Sequence, residues 1–173
     1  MTTTRTRIEL QIRRNPGTHF NELVRSLEFA PGQIQYHTRK LSDEAEVIEE
    51  SLYGRTHYFP PEFDSWERGA LALFRRETSR EILGYLLENE AVKPQAVADS
   101  LGIARSTLEW HLSHLIEQDV ILKERDEQNR ITLVVAHPER THELLREISP
   151  SIPDRFVDRF TRLVDSLLSE QHR

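Results

Sequence analysis

The chain matches itself without gaps at an offset of 74 residues, and this internal repeat restricts its fold more than any other feature. Ile8 falls on Ile82, Ile12 on Leu86, Leu23 on Val97, Leu27 on Leu101, Phe29 on Ile103 and Ile34 on Leu108. Tyr36-His37 then falls on Trp110-His111, Leu41 on Leu115, and Val47-Ile48 on Ile121-Leu122. A few such agreements arise by chance. The whole apolar pattern, with an aromatic–histidine pair inside it, does not. A chain of 173 residues built this way holds two small cores, one per copy.

Each copy reads as helix, helix, turn, helix and hairpin. In the first, Ile8 and Ile12 lie one turn apart on a helix that Asn15-Pro16-Gly17 stops, because proline cannot continue the hydrogen-bond ladder. Thr18 is placed to cap a second helix with an inner face of Phe20, Leu23, Val24 and Leu27. Ala30-Pro31-Gly32 restarts the chain, and a third helix turns Ile34, His37 and Leu41 inward. Val47–Leu52 and Thr56–Phe59 read as strands around a Tyr53-Gly54-Arg55 turn, and Pro60-Pro61 closes the unit. In the second copy, Thr78 and Glu81 have capping-box spacing on a helix running to about Asn89. Pro94 opens the next helix, Gly102 suits the tight turn, and Ala104–Gln118 is the third helix. A hairpin of Val120–Arg125 and Ile131–Ala136 follows, with Asp126–Arg130 at its tip.

The expected fold class is therefore mainly α with small β-wings: two tandem winged helix-turn-helix domains plus a C-terminal helix. The boundaries read as 1–62 for the first domain, 63–77 for a linker helix, 78–137 for the second domain and 138–173 for C-terminal helices. Leu-Gly-Ile-Ala-Arg-Ser-Thr-Leu-Glu-Trp-His-Leu-Ser-His-Leu, from Leu101 to Leu115, resembles the helix-turn-helix of ArsR-like and MarR-like regulators. So does Pro31-Gly-Gln-Ile-Gln-Tyr-His-Thr-Arg-Lys-Leu41 with its following Tyr-Gly-Arg wing. The resemblance spans roughly residues 5 to 137 and is greatest to the two-domain winged-helix regulators of archaea. It implies a transcriptional regulator whose partner is double-stranded DNA.

Composition bears on the setting. The absence of cysteine excludes disulfides, thiolate metal sites and thiol redox sensing. Only three of the 23 basic residues are lysines (Lys40, Lys93, Lys123), and the net charge is −6. Low lysine, no cysteine and excess acid resemble the proteins of salt-loving archaea. No run approaches the roughly 20 apolar residues of a membrane span, and the N-terminus lacks the apolar stretch of a signal peptide. The expectation is a cytoplasmic protein without membrane contact.

Excess acid makes any DNA-binding surface local. With Ile34, His37 and Leu41 inward, the third helix of the first copy presents Gln33, Gln35, Tyr36, Arg39 and Lys40. Glutamine can pair with adenine edges, and Arg39 and Lys40 can take phosphates or guanine. Arg55, beside Gly54 at the wing tip, can reach the minor groove or backbone. The second copy presents Arg105, Ser106, Thr107 and Trp110, with Glu109, Ser113 and His114 among them. Residues 1–62 carry eight basic and nine acidic side chains, and residues 64–137 carry nine and thirteen. The nearly neutral first copy is the better DNA reader, and the second assists or holds a dimer. His37 and His111 share one repeat position and read as packing and hydrogen-bonding residues, while Tyr36 and Trp110 suit either DNA backbone or packing.

His137, Glu139, His142 and Glu143 sit on one helical turn, but without thiolates they read as solvated polar residues, so no metal is assigned. No nucleophile motif, phosphate-binding glycine loop or zinc-protease signature occurs, and neither enzyme activity nor a cofactor is expected. Pro153 opens a stretch in which Phe156, Phe160, Leu163, Val164, Leu167 and Leu168 form one apolar stripe. Such a stripe must be buried, either on the chain's own second domain or, the favoured reading, by antiparallel pairing with a second copy, which predicts a homodimer and a palindromic DNA site. The rival reading is a tandem winged-helix protein-interaction module resembling the acidic kleisin-partner subunit of bacterial condensin. Glu109 and the acidic second copy favour it.

Overall fold

The structure is a computed structural model and describes residues 2–148. Helix α1 (Thr4–Arg14) starts at Thr3, whose hydroxyl accepts the Thr6 N–H at 3.2 Å. It ends at Asn15, and Gly17 at φ +83° turns the chain into the short strand β1 (Thr18–His19). Thr18 is therefore a strand residue and not the cap expected of it. The cap moves one residue on, to His19, ahead of α2 (Phe20–Leu27). The Glu22 carboxylate accepts both the His19 N–H, at 3.1 Å, and the Thr18 hydroxyl, at 3.0 Å. Helix α3 (Pro31–Asp43) buries Ile34, Thr38 and Leu41. This i, i+4, i+7 row takes Thr38 into the core where His37 was expected, and leaves His37 half-buried against Tyr36. Strands β2 (Ile48–Leu52) and β3 (Arg55–Phe59) form the wing, and β1 pairs with β3 to complete an antiparallel sheet of order β1-β3-β2.

Helix α4 (Ser65–Phe74) begins at a capping box, with Asp64 accepting the Glu67 N–H at 2.8 Å. Every residue from Gly69 to Phe74 is buried. Six consecutive buried residues mean a helix enclosed on all sides. The segment expected as a linker helix thus contributes to the core. With only Arg75 and Arg76 between, α5 (Glu77–Glu88) follows, capped at Arg76; Thr78 lies inside its first turn, so the expected Thr78–Glu81 box does not form. The second unit continues with α6 (Pro94–Leu101), α7 (Arg105–Glu117), β4 (Ile121–Arg125) and β5 (Ile131–Val135). A final described helix, α8 (Pro138–Ile148), packs along α4, with Arg140 over the Trp66 ring at 4.3 Å and 2.9 Å from Asp64.

The repeat survives in three dimensions. Helices α6 and α7 lie 74 residues beyond α2 and α3 at both ends. The left-handed backbone positions recur at the same offset: Gly17 and Ala91, Glu28 and Gly102, Ala45 and Asp119. A single bridge between Val92 and Leu133 stands where β1 pairs with the first wing. Of the two cores, one gathers Ile8, Ile12, Leu23, Leu27, Ile34, Leu41, Val47 and Tyr58. The larger gathers Phe59 with α4, α5, α6, α7 and the C-terminal half of α8, and half-buried Ile48, Leu52 and Tyr53 of the first wing pack against it. Each fully buried Leu or Ile contributes on the order of 1.5–3 kcal/mol. Because wing residues pack against the second core, the two domains are joined by apolar burial as well as by chain.

Candidate nucleic-acid interface

In the first domain α2, α3 and the wing enclose an open trough of about 1000 Å³. Asn21 and Arg25 of α2 line one wall, Gln35 and Arg39 of α3 the floor, and Gly54, Arg55 and Thr56 of the wing the other wall, with Glu49 the one carboxylate there. Of the residues expected to touch DNA in this copy, Gln33, Gln35, Tyr36, Arg39, Lys40 and Arg55 are all exposed, and Tyr36 is the most exposed large aromatic side chain at 59%. Among the described residues, no hydrogen bond or ion pair engages the side chains of Gln33, Gln35, Arg39 or Arg55. Lys40 lies 5.9 Å from the Tyr36 ring. Sequence reasoning missed Asn21 and Arg25. Their signal was available, since both fall opposite the buried Leu23 and Leu27 on α2.

The wing that carries Arg55 is held from behind. Tyr53 and Gly54 both have positive φ, the backbone of a tight two-residue hairpin turn. The turn points Tyr53 at the second domain, where its hydroxyl donates to Gln118 Oε1 at 2.8 Å. Gln118 Nε2 donates onward to the Trp66 carbonyl at 3.0 Å, and Arg76 donates to the Tyr53 carbonyl at 3.3 Å. Burial, with Glu117 and Glu50 nearby, pushes the Tyr53 hydroxyl up to about 12, so it stays a donor. Arg68 of α4 also holds Glu50 of β2 at 2.6 Å.

The second copy places its side chains otherwise. Arg105, Ser106, Thr107 and Trp110 are exposed on α7, as is half of Glu109. Yet Arg105 is committed within the domain, donating to Glu109 at 3.0 Å and to Gln95 at 3.1 Å. Trp110 lies edge-on to His114 at 4.4 Å and to His111 at 4.8 Å, under the Arg76 guanidinium at 4.9 Å. His114 in turn meets the Tyr53 ring at 5.2 Å, so the first wing covers the C-terminal half of α7. His111 bonds Ser79 at 3.0 Å, and burial, then Arg76 and His114, hold its imidazole below the usual range. The second wing tip closes on itself: Asp126 accepts from the backbone of Gln128 and Arg130 and from the Arg130 guanidinium, each at 2.9 Å.

His137 packs edge-on against Trp66 at 5.5 Å, and no group of three or more metal-binding side chains occurs among the described residues. No helix among them is long and apolar enough to cross a membrane. The apolar stripe of Phe156, Phe160, Leu163, Val164, Leu167 and Leu168 lies outside the described residues.

Two helix-turn-helix units, each closed by a β-hairpin wing, define the class: the chain is a tandem winged helix-turn-helix protein. Residues 2–71 match the family described as N-terminal HTH domain, and residues 75–121 match the family described as Winged helix-turn-helix DNA-binding. An uncharacterized HTH-type transcriptional regulator of Methanocaldococcus jannaschii is 32% identical over 133 residues, covering 76% of this chain and 33% of that protein. The chain thus spans about a third of the length of that curated relative. Among solved structures, overoxidized AbfR bound to DNA shares 15% identity over 80% of this chain and 92% of its own, at a TM-score of 0.42. The multiple antibiotic-resistance repressor MarR of Listeria monocytogenes shares 9% over 82% and 91%, at 0.38. Likeness at that level is too slight to carry over any property of those proteins. The two domain matches bear out the winged helix-turn-helix resemblance read from Pro31–Leu41 and Leu101–Leu115.

Proposed function

We propose that the protein is a sequence-specific, DNA-binding transcriptional regulator that works as a homodimer, and that the first domain does the reading. One observation carries this: Gln35, Arg39 and Arg55 converge on one trough with no hydrogen-bond or ion-pair partner among the described residues, beside a wing fixed from behind, and Gln33 is exposed on the same helix. Helix α3 enters the major groove, where Gln33 and Gln35 meet base edges and Arg39 takes guanine or phosphate. Arg55 reaches the backbone or minor groove beside it, and Arg25 and Lys40 add phosphate contacts. Fixing the wing in advance lowers the ordering cost of binding. The second domain supports the first wing and adds at most Ser106 and Thr107, since Arg105 and Trp110 are already engaged. Pairing through the 156–168 stripe sets two such readers about a symmetry axis, which calls for an inverted repeat.

The test is a titration of purified protein against random and genomic DNA at several salt concentrations, with sequencing of the bound fraction. Enrichment of an inverted repeat is expected. Arg39→Ala and Arg55→Ala should each weaken binding about tenfold or more, and full binding by the double variant overturns the assignment. The second reading, a protein-interaction module, is favoured by the acidic second copy, in which Glu109 neutralises Arg105. Absence of DNA binding above background at every salt concentration would overturn the first reading and favour the second, which pull-down of partners then tests.

A further inference from the structure

Beside the first helix-turn-helix is a second cavity, of about 410 Å³, lined by residues of both domains. Its walls come from Gln11 of α1, Asn15, Glu22 and Ser26 near and on α2, and Arg75 and Arg80 at the joint between α4 and α5. The cationic walls are unusual. Arg80 is only 7% exposed, and among the described residues its hydrogen-bond partner is the Phe74 carbonyl, 3.0 Å from one Nη, while its Nε is buried without one. The Arg75 side chain is 13% exposed and gives one Nη to Glu22 at 2.8 Å, while its Nε and other Nη are buried and unpartnered. Three guanidinium N–H donor atoms are therefore removed from water and satisfied by nothing in the described protein. Leaving buried cationic donors unmet is costly; Glu22 pairs directly with Arg75, while Glu77 and Glu81 offset the Arg80 charge without meeting its buried Nε.

We propose that this cavity is a binding site for a small organic oxyanion, a carboxylate or phosphate ester, held by Arg75 and Arg80. The guanidinium fork matches both head groups by paired N–H···O bonds. Gln11, Asn15 and Ser26 supply neutral polar contacts for the remainder of the molecule. The volume exceeds what a bare ion needs and falls within the range of small-molecule sites. Arg25 lines both this cavity and the DNA trough, so occupancy alters α2 where it faces DNA. That second step rests on the DNA-binding reading; the binding site itself does not.

The experiment is a thermal-unfolding titration of the full chain at constant ionic strength, with inorganic phosphate, succinate and ribose 5-phosphate as probes. Wild type should be stabilised saturably by at least one probe, with Tm rising about 5–10 °C at a hundredfold excess over Kd. Arg80→Met should lose that response while unfolding at the same or a higher temperature than unliganded wild type, because it removes a buried, half-satisfied charge. Arg75→Gln should weaken the response and keep the fold. A Tm unmoved by every probe overturns the proposal. So does an equal response in Arg80→Met, which would mark the effect as general anion binding at the surface. Reciprocal coupling to DNA is then measured by repeating the DNA titration with the active probe. A saturable Tm response without such coupling retains the site and rejects only its link to DNA.

Discussion

Gly69 and Gln118 give a test of the domain joint in which a single substitution should change sign with its background. A Cβ built on Gly69 would stand 2.2 Å from Gln118 Oε1 and 2.4 Å from its Cδ and Nε2. The clash is with the end of a flexible side chain, so Gly69→Ala does not break α4; it expels the Gln118 amide. The amide leaves two hydrogen bonds behind, one from the Tyr53 hydroxyl and one to the Trp66 carbonyl. Each is worth about 1 kcal/mol net, with an added penalty where the abandoned group is buried. Against this, alanine gains about 1 kcal/mol of helix propensity over glycine. Gly69→Ala should therefore destabilise wild type by about 1 kcal/mol. Gln118→Ala removes the same bonds and the obstruction, and should cost about 2 kcal/mol. In that background Gly69→Ala meets no amide, keeps its propensity gain and should stabilise by about 1 kcal/mol. The coupling across the cycle is then about 2 kcal/mol, well above the error of additivity. Urea denaturation of the four proteins, followed by circular dichroism, measures it. A Gly69→Ala variant more stable than wild type, or a coupling near zero, would refute the argument that Gln118 locks the wing.

Further outcomes follow from the same geometry. Glu28 ends α2 at φ +55°, where Gly102 stands in the second copy, so Glu28→Gly should raise stability by roughly 0.5–1 kcal/mol in the same denaturation assay. Burial foremost holds His57, His19 and His111 below their ordinary value. The unfolded chain then binds more protons just below about pH 6.5, so stability is full above pH 7 and falls as pH drops through about 6.5. The urea midpoint should follow that course between pH 7.5 and 5.5, less steeply in His57→Gln, and a flat profile would contradict it. For DNA, log affinity should fall with log salt at about −0.9 per phosphate met, and Arg39→Ala should reduce the slope by about one unit if Arg39 holds a phosphate, or leave it and relax sequence preference if it reads a base.

How far the sequence reached is clearest at particular residues. The 74-residue offset survives to the ends of α2, α3, α6 and α7; the stops repeat because a left-handed residue follows each helix, Glu28 and Gly102 or Ala45 and Asp119, while proline opens only α3 and α6. Local chemistry misled at Thr18 and Thr78. Both have good capping side chains, but Thr18 is recruited by Tyr58 across the sheet, and Thr78 falls inside a helix that already begins at Glu77. The placement of α4 was beyond local reading. Gly69, Ala70 and Ala72 look like filler in a connector, yet they are buried where α4 packs against α5, α7 and α8. Arg75 and Arg80 were equally illegible, since nothing in the sequence separates a buried arginine from a solvated one until the two domains are docked.

The repeat also shows how one backbone can be given two tasks without moving. Arg39 falls on Ser113, Tyr36 on Trp110, and Ala45 on Asp119. At the third-helix level the first copy keeps its glutamines and arginine unpaired and aimed outward, whereas the second spends Arg105 on Glu109 and Gln95 and folds Trp110 under Arg76. The same contrast recurs at the wings. The first is a two-residue turn whose Tyr53 is anchored behind and whose Arg55 is open; the second is a longer tip whose Arg130 is closed onto Asp126. Tyr53 holds the first wing through His114 of α7 and Gln118, which caps that helix, and this contact covers the C-terminal half of the outer face of α7. On the proposed DNA-binding reading, Glu109→Gln, which frees Arg105, should therefore strengthen binding only modestly and leave the sequence preference unchanged. A new preferred sequence in that variant would mean that the second helix reads DNA as well.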